Sequence, residues 1–256
     1  MTPIPPHIRR FGVLVSCLAA LARPSASLAA NGSADLWQAR NGSAASPNNP
    51  IDWVKGNLGT ANSHYVEGQS IPYRLVLTRL TPGHHNVVIE WETRQSGRNT
   101  IDFITHYDIL LPHVNFVSHS SAEMIDPIAG LTGPFGPPAV VPIPAPSTAG
   151  TPVPGQPVAS FEALHAERRM MTIWNGSISS LAYLQEGTLA ADAATTRLSI
   201  DFDATNATVV IAWGGHIARS LDWGSGNAAA GINGSPFHMR LVSLDGGGSN
   251  QDRVGI

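Results

Sequence analysis

Glycine and proline break this chain every ten residues or so, with 25 glycines and 20 prolines in 256 residues, and no long uninterrupted helix fits between them. The intervening runs are rich in Val, Ile and Thr, and they contain a single lysine, Lys55, where helices would favour Lys, Glu and Arg. The spacing predicts an all-β fold, an antiparallel β-sandwich or jelly-roll of about nine strands.

Alternation locates the strands. Tyr73–Thr78 is followed by Thr81-Pro82-Gly83 and by a run that places Val87, Ile89 and Trp91 on one face and Val88, Glu90 and Glu92 on the other. This pair reads as a hairpin. Further strands are expected over Ile101–Tyr107, Arg169–Trp174, Ile178–Leu184 and Arg197–Asp203. Thr208–Trp213 is a continuous apolar run that reads as a buried central strand, and Phe237–Leu244 reads as the last strand, ending in Asp245-Gly246-Gly247-Gly248. Nine prolines fall between Gly130 and Pro157. Proline lacks the ladder donor, so residues 130–157 are expected to form an extended loop that wraps the surface or bridges two halves.

The beginning of the chain has the order of an export signal. Arg9 and Arg10 precede the apolar stretch Phe11–Ala22, and small residues follow at Ser25–Ser27, Ala29 and Ala30. Residues 1–30 are therefore expected to be a secretory signal peptide, residues 31–50 a flexible N-terminal segment, and residues 51–253 the β-sandwich domain. The expected location is secreted and extracellular. A periplasmic location, or lipidation at Cys17 in Leu14-Val15-Ser16-Cys17, is the minor alternative. Loss of the signal would remove three of 15 basic residues and none of 18 acidic ones, leaving a net charge of about minus six. That charge excludes nucleic acid as a natural partner. It would also remove the one cysteine, so no disulfide holds the fold, and no second long apolar segment offers a transmembrane anchor.

An internal echo links two segments. Asp52-Trp53-x-x-Gly56-Asn57 recurs as Asp222-Trp223-x-x-Gly226-Asn227, and each is followed by proline, an aromatic and Arg-Leu-Val. Two similar tryptophan loops, and two related halves of the fold, are the reading this suggests. The runs Pro72-Tyr73-Arg74, Ile89-Glu90-Trp91-Glu92-Thr93 and Ile101-Asp102-Phe103-Ile104-Thr105 occur together. With them stand Ala212-Trp213-Gly214-Gly215-His216-Ile217-Ala218, Leu221-Asp222-Trp223-Gly224-x-Gly226-Asn227 and Gly234-Ser235-Pro236-Phe237-His238-Met239-Arg240-Leu241. This set resembles a secreted bacterial β-rich surface module, found beside immunoglobulin-like repeats in larger surface proteins. The resemblance implies an extracellular or cell-surface component and brings no catalytic residues with it.

Three sets of residues are candidates for chemistry. Trp53, Asn57, Asp222, Trp223 and Asn227, with His216, would let an indole stack on a sugar ring while amides and carboxylates take its hydroxyls; the competing reading is that both tryptophans cap the core. Asp201 and Asp203, with Asn206, share the face opposite Leu198, Ile200 and Phe202 and would suit a hard cation such as calcium, which takes oxygen ligands; the competing reading is a solvated strand edge. Glu90 and Glu92 share one face and would serve a hydrolase, although no G-x-S-x-G elbow or H-E-x-x-H accompanies them. No cofactor motif is present. The expected function is a secreted, non-catalytic binding or structural protein, adhesion-like, whose partner is another extracellular protein or its own copy. A carbohydrate-binding module using Trp53 and Trp223 is the first alternative, and a secreted hydrolase the second.

Overall fold

The computed structural model describes residues 32–110, 123–147, 149–150, 153–234 and 236–255. The proposed signal peptide and Cys17 lie outside these residues. Two sheets pack face to face, as the sequence predicts for a sandwich. The first sheet runs β2 (Ser46–Val54), β1 (Ser33–Ser43), β3 (Ser70–Thr78), β13 (Val209–Ile217), β10 (Met170–Trp174), β7 (Ala139–Pro142), and β6 (Ile101–Thr105) also pairs with β13. The second runs β11 (Gly176–Gln185), β12 (Ala194–Ala204), β4 (Gly83–Gln95), β14 (Phe237–Leu244), β15 (Gly247–Gly255), with β5 (Arg98–Asn99) folded back on β4. A small ribbon pairs β8 (Ala149–Gly150) with β9 (Gln156–Pro157), and two short helices, α1 (Val158–Glu162) and α2 (Ser220–Trp223), sit in connections.

The expected central strand is β13, buried along its whole length between β3 and β10 with β6. Tyr73 and Trp213 face each other across the β3–β13 ladder and stack at 6.2 Å. They join Trp91, Phe103, Phe161 and Phe202 in one core between the sheets, where burying each such side chain stabilises by about 1.5–3 kcal/mol. On the outer face of the first sheet, a second cluster of Trp174, Val210 and Ala212 is covered by Ile128, Leu131 and Phe135. A covered outer face explains why β13 reads as a continuous apolar run.

Four expectations are corrected. Residues 33–50 are not a flexible segment: they form β1 and most of β2, with Leu36 and Ala39 fully buried. Their small, polar composition hides the pattern, and β1 is held by ladders to β2 and β3 on its two sides. β3 and β4 are not a hairpin. They belong to different sheets, because Leu80 drops into the core and its N–H reaches Ala207 O, so the connection crosses the sandwich. The strand β14 is not the last. Asp245 and Gly246 both adopt positive φ and join β14 to β15 by a two-residue turn of the primed type. The related halves are absent as structure: both sheets interleave early and late segments, and the echoed motifs fall on a strand, β2, and on a helical turn, α2.

The proline-rich stretch behaves as the missing donors require. Its one contribution to a main sheet, β7, is a four-residue edge strand ending at Pro142. Beyond it Ile143 is buried, and Pro144 O accepts from the Tyr183 hydroxyl, so the chain spans from the first sheet to the second.

Gly214 marks where three strands crowd. Ser70 and Thr105 bond to each other across β13 at 2.7 Å, and a Cβ at Gly214 would lie 2.6 Å from His106 O and 2.7 Å from both of those side chains. Gly214→Ala is expected to lower unfolding free energy by about 1–3 kcal/mol. Gly56→Ala, with nothing within 4 Å, is expected to stay within about 0.5 kcal/mol. Equal denaturation midpoints for the two variants would contradict this account of the crowding.

Candidate functional site

The strand β6 carries an aspartate in an apolar run, and that residue organises the region expected to bind a ligand. Asp102 Oδ1 lies 2.7 Å from His216 Nδ1, and its Oδ2 accepts from Trp223 Nε1 at 3.0 Å. Phe103 stacks flat on the His216 ring at 4.3 Å, and Phe161 meets Phe103 edge-on. Trp223 is 0% exposed and His216 is buried. The neighbouring cavity, bordered by Trp91, Asp102 and Trp223, has about 20 Å³, room for about one water molecule. His216, Asp222, Trp223 and Asn227 are thus brought together as packing. Asp222 is clamped by Arg219 at 2.6 and 2.8 Å, and Asn227 bonds to Trp223 O while its own carbonyl accepts from Asn99. The expectation that Trp223 offers an indole face to a sugar is not met, because the ring lies beneath the surface.

Trp53 and Asn57 lie on a different element. Trp53 is half-buried on β2, and its Nε1 donates to Asp126 O at 2.8 Å. The Arg74 guanidinium is placed over both Trp53 and Trp37, at 4.7 and 4.9 Å, and donates to Pro127 O and Ala129 O. Burial pushes its pKa down to about 10, with Asp126 acting in the opposite direction, so it remains charged at neutral pH. One face of Trp53 is therefore committed to holding residues 126–129 against the first sheet. Asn57 is exposed in the turn beyond β2.

Asp201 and Asp203 do share the outward face of β12, and Asn206 is exposed in the following turn. Their neighbours are protein groups: Asn86 Nδ2 donates to Asp201 at 2.8 Å, and His84 lies 3.7 Å from Asp201 and 3.9 Å from Asp203. Among the described residues no group of three or more His, Cys, Asp or Glu side chains converges as a metal site. Glu90 and Glu92 belong to a charged network on the same sheet. Arg197, Glu90, Arg240 and Asp252 form one rung across β12, β4, β14 and β15, with contacts of 2.6, 3.1 and 3.1 Å. Glu90 is held by two guanidinium groups, a poor state for a nucleophile or proton carrier.

The two sides of the sandwich are bridged differently. Where β15 approaches β1, Gln251 bonds Leu36 N and Ala34 O, and Arg253 donates to Leu36 O. These side chains take the backbone groups of β1 that β2 does not reach. On the opposite side β7 ends the first sheet and β11 ends the second. A groove of about 240 Å³ runs between them, bordered by Val141, Pro142, Pro144, Ile178 and Leu181. On the strands that border it, Val140 and Leu184 are 54% and 59% exposed. A larger cleft of about 520 Å³ lies at α2, walled by Tyr65, Leu221 and Phe237. Its polar groups are bonded within the protein, Glu67 to Ser220 and Ala230 and Arg219 to Asp222.

Sequence reasoning missed Asp102 and the β7–β11 groove. An acid inside the apolar run Ile101–Thr105 was the available signal for the first; the groove depends on which strands end each sheet, which no local pattern encodes. Comparison with protein-family models, with curated proteins and with solved structures finds no match to this chain.

Trp223→Ala is expected to cost about 3–5 kcal/mol of stability, read by denaturant unfolding; a stable variant would place the ring at the surface. A second expectation concerns pH. His85 stands between Asp245, 2.7 Å from Nδ1, and Thr81 O, 2.8 Å from Nε2, so both nitrogens face acceptors and the imidazolium suits both. Burial opposes the charge, but Thr81 O and Asp245 outweigh it and raise the pKa. His238 is raised by its bond to Asp252, against burial. This stabilisation is complete below the unfolded histidine pKa of about 6.5 and is lost as pH rises through the folded values. The thermal midpoint should fall from about pH 6 to about pH 9, and less so in His85→Asn. A midpoint that rises over this range, or an unchanged slope in the variant, would contradict it.

Proposed function

We propose that the protein is a secreted, non-catalytic binding or structural component of the cell exterior, and that its partner is a polypeptide engaged along the side where β7 and β11 end their sheets. The observation that carries this reading is the contrast between the two sides of the sandwich. One is stitched by Gln251 and Arg253 to β1, and the other, crossed by the chain at Pro144 and Ser147, leaves a largely apolar groove beside a strand edge. Exposed strand edges pair readily with further chains, and an extended polypeptide gains ladder hydrogen bonds from the edge and side-chain contacts from the groove.

The alternatives draw less support. Of the two tryptophans a sugar platform would use, Trp223 is buried and Trp53 has one indole face already taken by Arg74. A hydrolase would need Glu90 and Glu92 in distinct roles, yet Glu90 is neutralised by Arg197 and Arg240, and His238 and Arg240 crowd Glu92.

The test is selection from a phage-displayed library of random dodecapeptides, run beside a glycan array. We expect enrichment of extended apolar peptides whose binding is lost in Val140→Asp and Leu184→Asp, with unfolding free energies unchanged to within about 0.5 kcal/mol. Glycan binding that depends on Trp53, or peptide binding indifferent to both substitutions, would overturn the proposal.

A further inference from the structure

The edge of β11 differs from the other sheet edges in a way that selects a particular partner. β2 carries Pro47 and Pro50 and the charged Asp52, which pairs with Arg40. β7 is four residues long and ends in proline, and β15 is tied through Gln251 and Arg253 to β1. Prolines, charges and very short strands are devices that keep an edge from pairing with a neighbour. β11 has none of these three, and its only edge device is a pair of bulges. It is ten residues long, Gly176-Ser-Ile-Ser-Ser-Leu-Ala-Tyr-Leu-Gln185, without proline or formal charge. It ends its sheet, and among the described residues no backbone–backbone hydrogen bond reaches it from the side away from β12, although the Tyr183 hydroxyl donates to Pro144 O.

We infer that β11 pairs with β11 of a second copy, antiparallel and about a two-fold axis, which rests on the reading that the β7–β11 side binds polypeptide. Symmetry makes the lack of charge informative. In a two-fold contact residue i meets residue j and j meets i, and those at the axis meet their own counterparts, so a charge near the axis meets a like charge, which destabilises cross-strand pairs. An edge evolved for a different polypeptide has no such constraint and gains selectivity from charges. Self-pairing of β15 would set Asp252 and Arg253 near their copies, and self-pairing of β2 would do so for Asp52. On β11 the residues turned to solvent are Ser177, Ser179, Ser180, Ala182, Leu184 and Gln185.

The geometry also fixes the centre of the contact. Bulges interrupt the β11–β12 ladder between Ile178 and Ser180 and between Tyr183 and Gln185, leaving a regular register from Ser180 to Tyr183. Pairing centred on Ala182 places Ala182 opposite the partner's Ala182 and Leu181 opposite the partner's Tyr183, with opposed side chains on a common face. Leu184 then lies beside the partner's Ser180. Two copies of the second sheet become one continuous sheet. A contact this short gives a dimer that depends on concentration.

Analytical ultracentrifugation of the full chain over a dilution series tests this. The unmodified protein should pass from monomer to dimer as concentration rises. Ala182→Lys and Ala182→Glu, each placing like charges together at the axis, should both remain monomeric with unchanged thermal midpoints. An equimolar mixture of the two should dimerise again, which a misfolded variant would not do. A wild-type monomer at every concentration overturns the inference; if selected peptides still require Leu184, the polypeptide-binding reading survives that failure. A dimer that persists in both Ala182 variants and is broken by Leu221→Asp also overturns it, by moving the contact to the cleft at α2.

Discussion

A carboxylate buried between the sheets is tolerable only if its charge or its hydrogen-bonding capacity is met by neighbours, and Asp102 meets that condition with partners 114 and 121 residues away in sequence. Through His216 it joins β6 to β13, the strand at the centre of the first sheet, and through Trp223 it joins both to the connection that leads from β13 toward β14. Removing any one of the three leaves polar groups stranded in the core. The glycines of Gly214-Gly215 belong to the same arrangement, since β3, β13 and β6 approach too closely there for side chains. Features that look like a binding motif in the sequence are thereby accounted for as the means by which three distant segments meet.

With the centre accounted for in this way, the outside of the molecule divides into surfaces of different character. The outer face of the second sheet carries a rung of alternating charge, Arg197, Glu90, Arg240 and Asp252. Its two arginines and Asp252 stay in partial contact with water while they cover the buried Glu90. The first sheet is covered by the segment that Arg74 anchors between Trp37 and Trp53. What remains is the side of the sandwich, and there the two long edges differ: β15 is occupied by contacts to β1, and β11 carries bulges but neither proline nor charge. Contact through β11 follows from this division, because it is the edge on which a further strand meets neither proline nor charge.

Much of this was legible in the residues. The breakers and the alternation gave the all-β class, the inward face Val87, Ile89 and Trp91, the burial of β13, and the exclusion of the proline-rich stretch from a sheet interior. Four things were not, each for a definable reason. β1 and β2 were hidden because Ser, Ala, Asn and Gly carry little hydrophobic pattern, although Leu36 and Ala39 occupy core positions. β15 was hidden for the same reason, despite the Asp245-Gly246 turn that announces a hairpin. Turn chemistry after Thr78 encodes a reversal of direction and says nothing about which sheet receives the next strand. The shared Asp-Trp-x-x-Gly-Asn string suggested a common role for Trp53 and Trp223, yet one indole lies beside a guanidinium at a strand edge and the other donates to a buried carboxylate. That difference is set by Asp102, which lies far from either motif in sequence.

The central claim is that the conspicuous aromatic and acidic residues serve the interior while the plain strand β11 serves contact. Hydrogen–deuterium exchange of the intact protein, followed by peptide mass spectrometry at low and high protein concentration, addresses both parts together. The account predicts slow exchange at Ile101–Thr105 and Val209–Ile217 at either concentration, and faster exchange at Gly176–Gln185 in dilute protein that slows as concentration rises. Protection of β11 that does not change with concentration, or rapid exchange around Asp102 and His216, would contradict it.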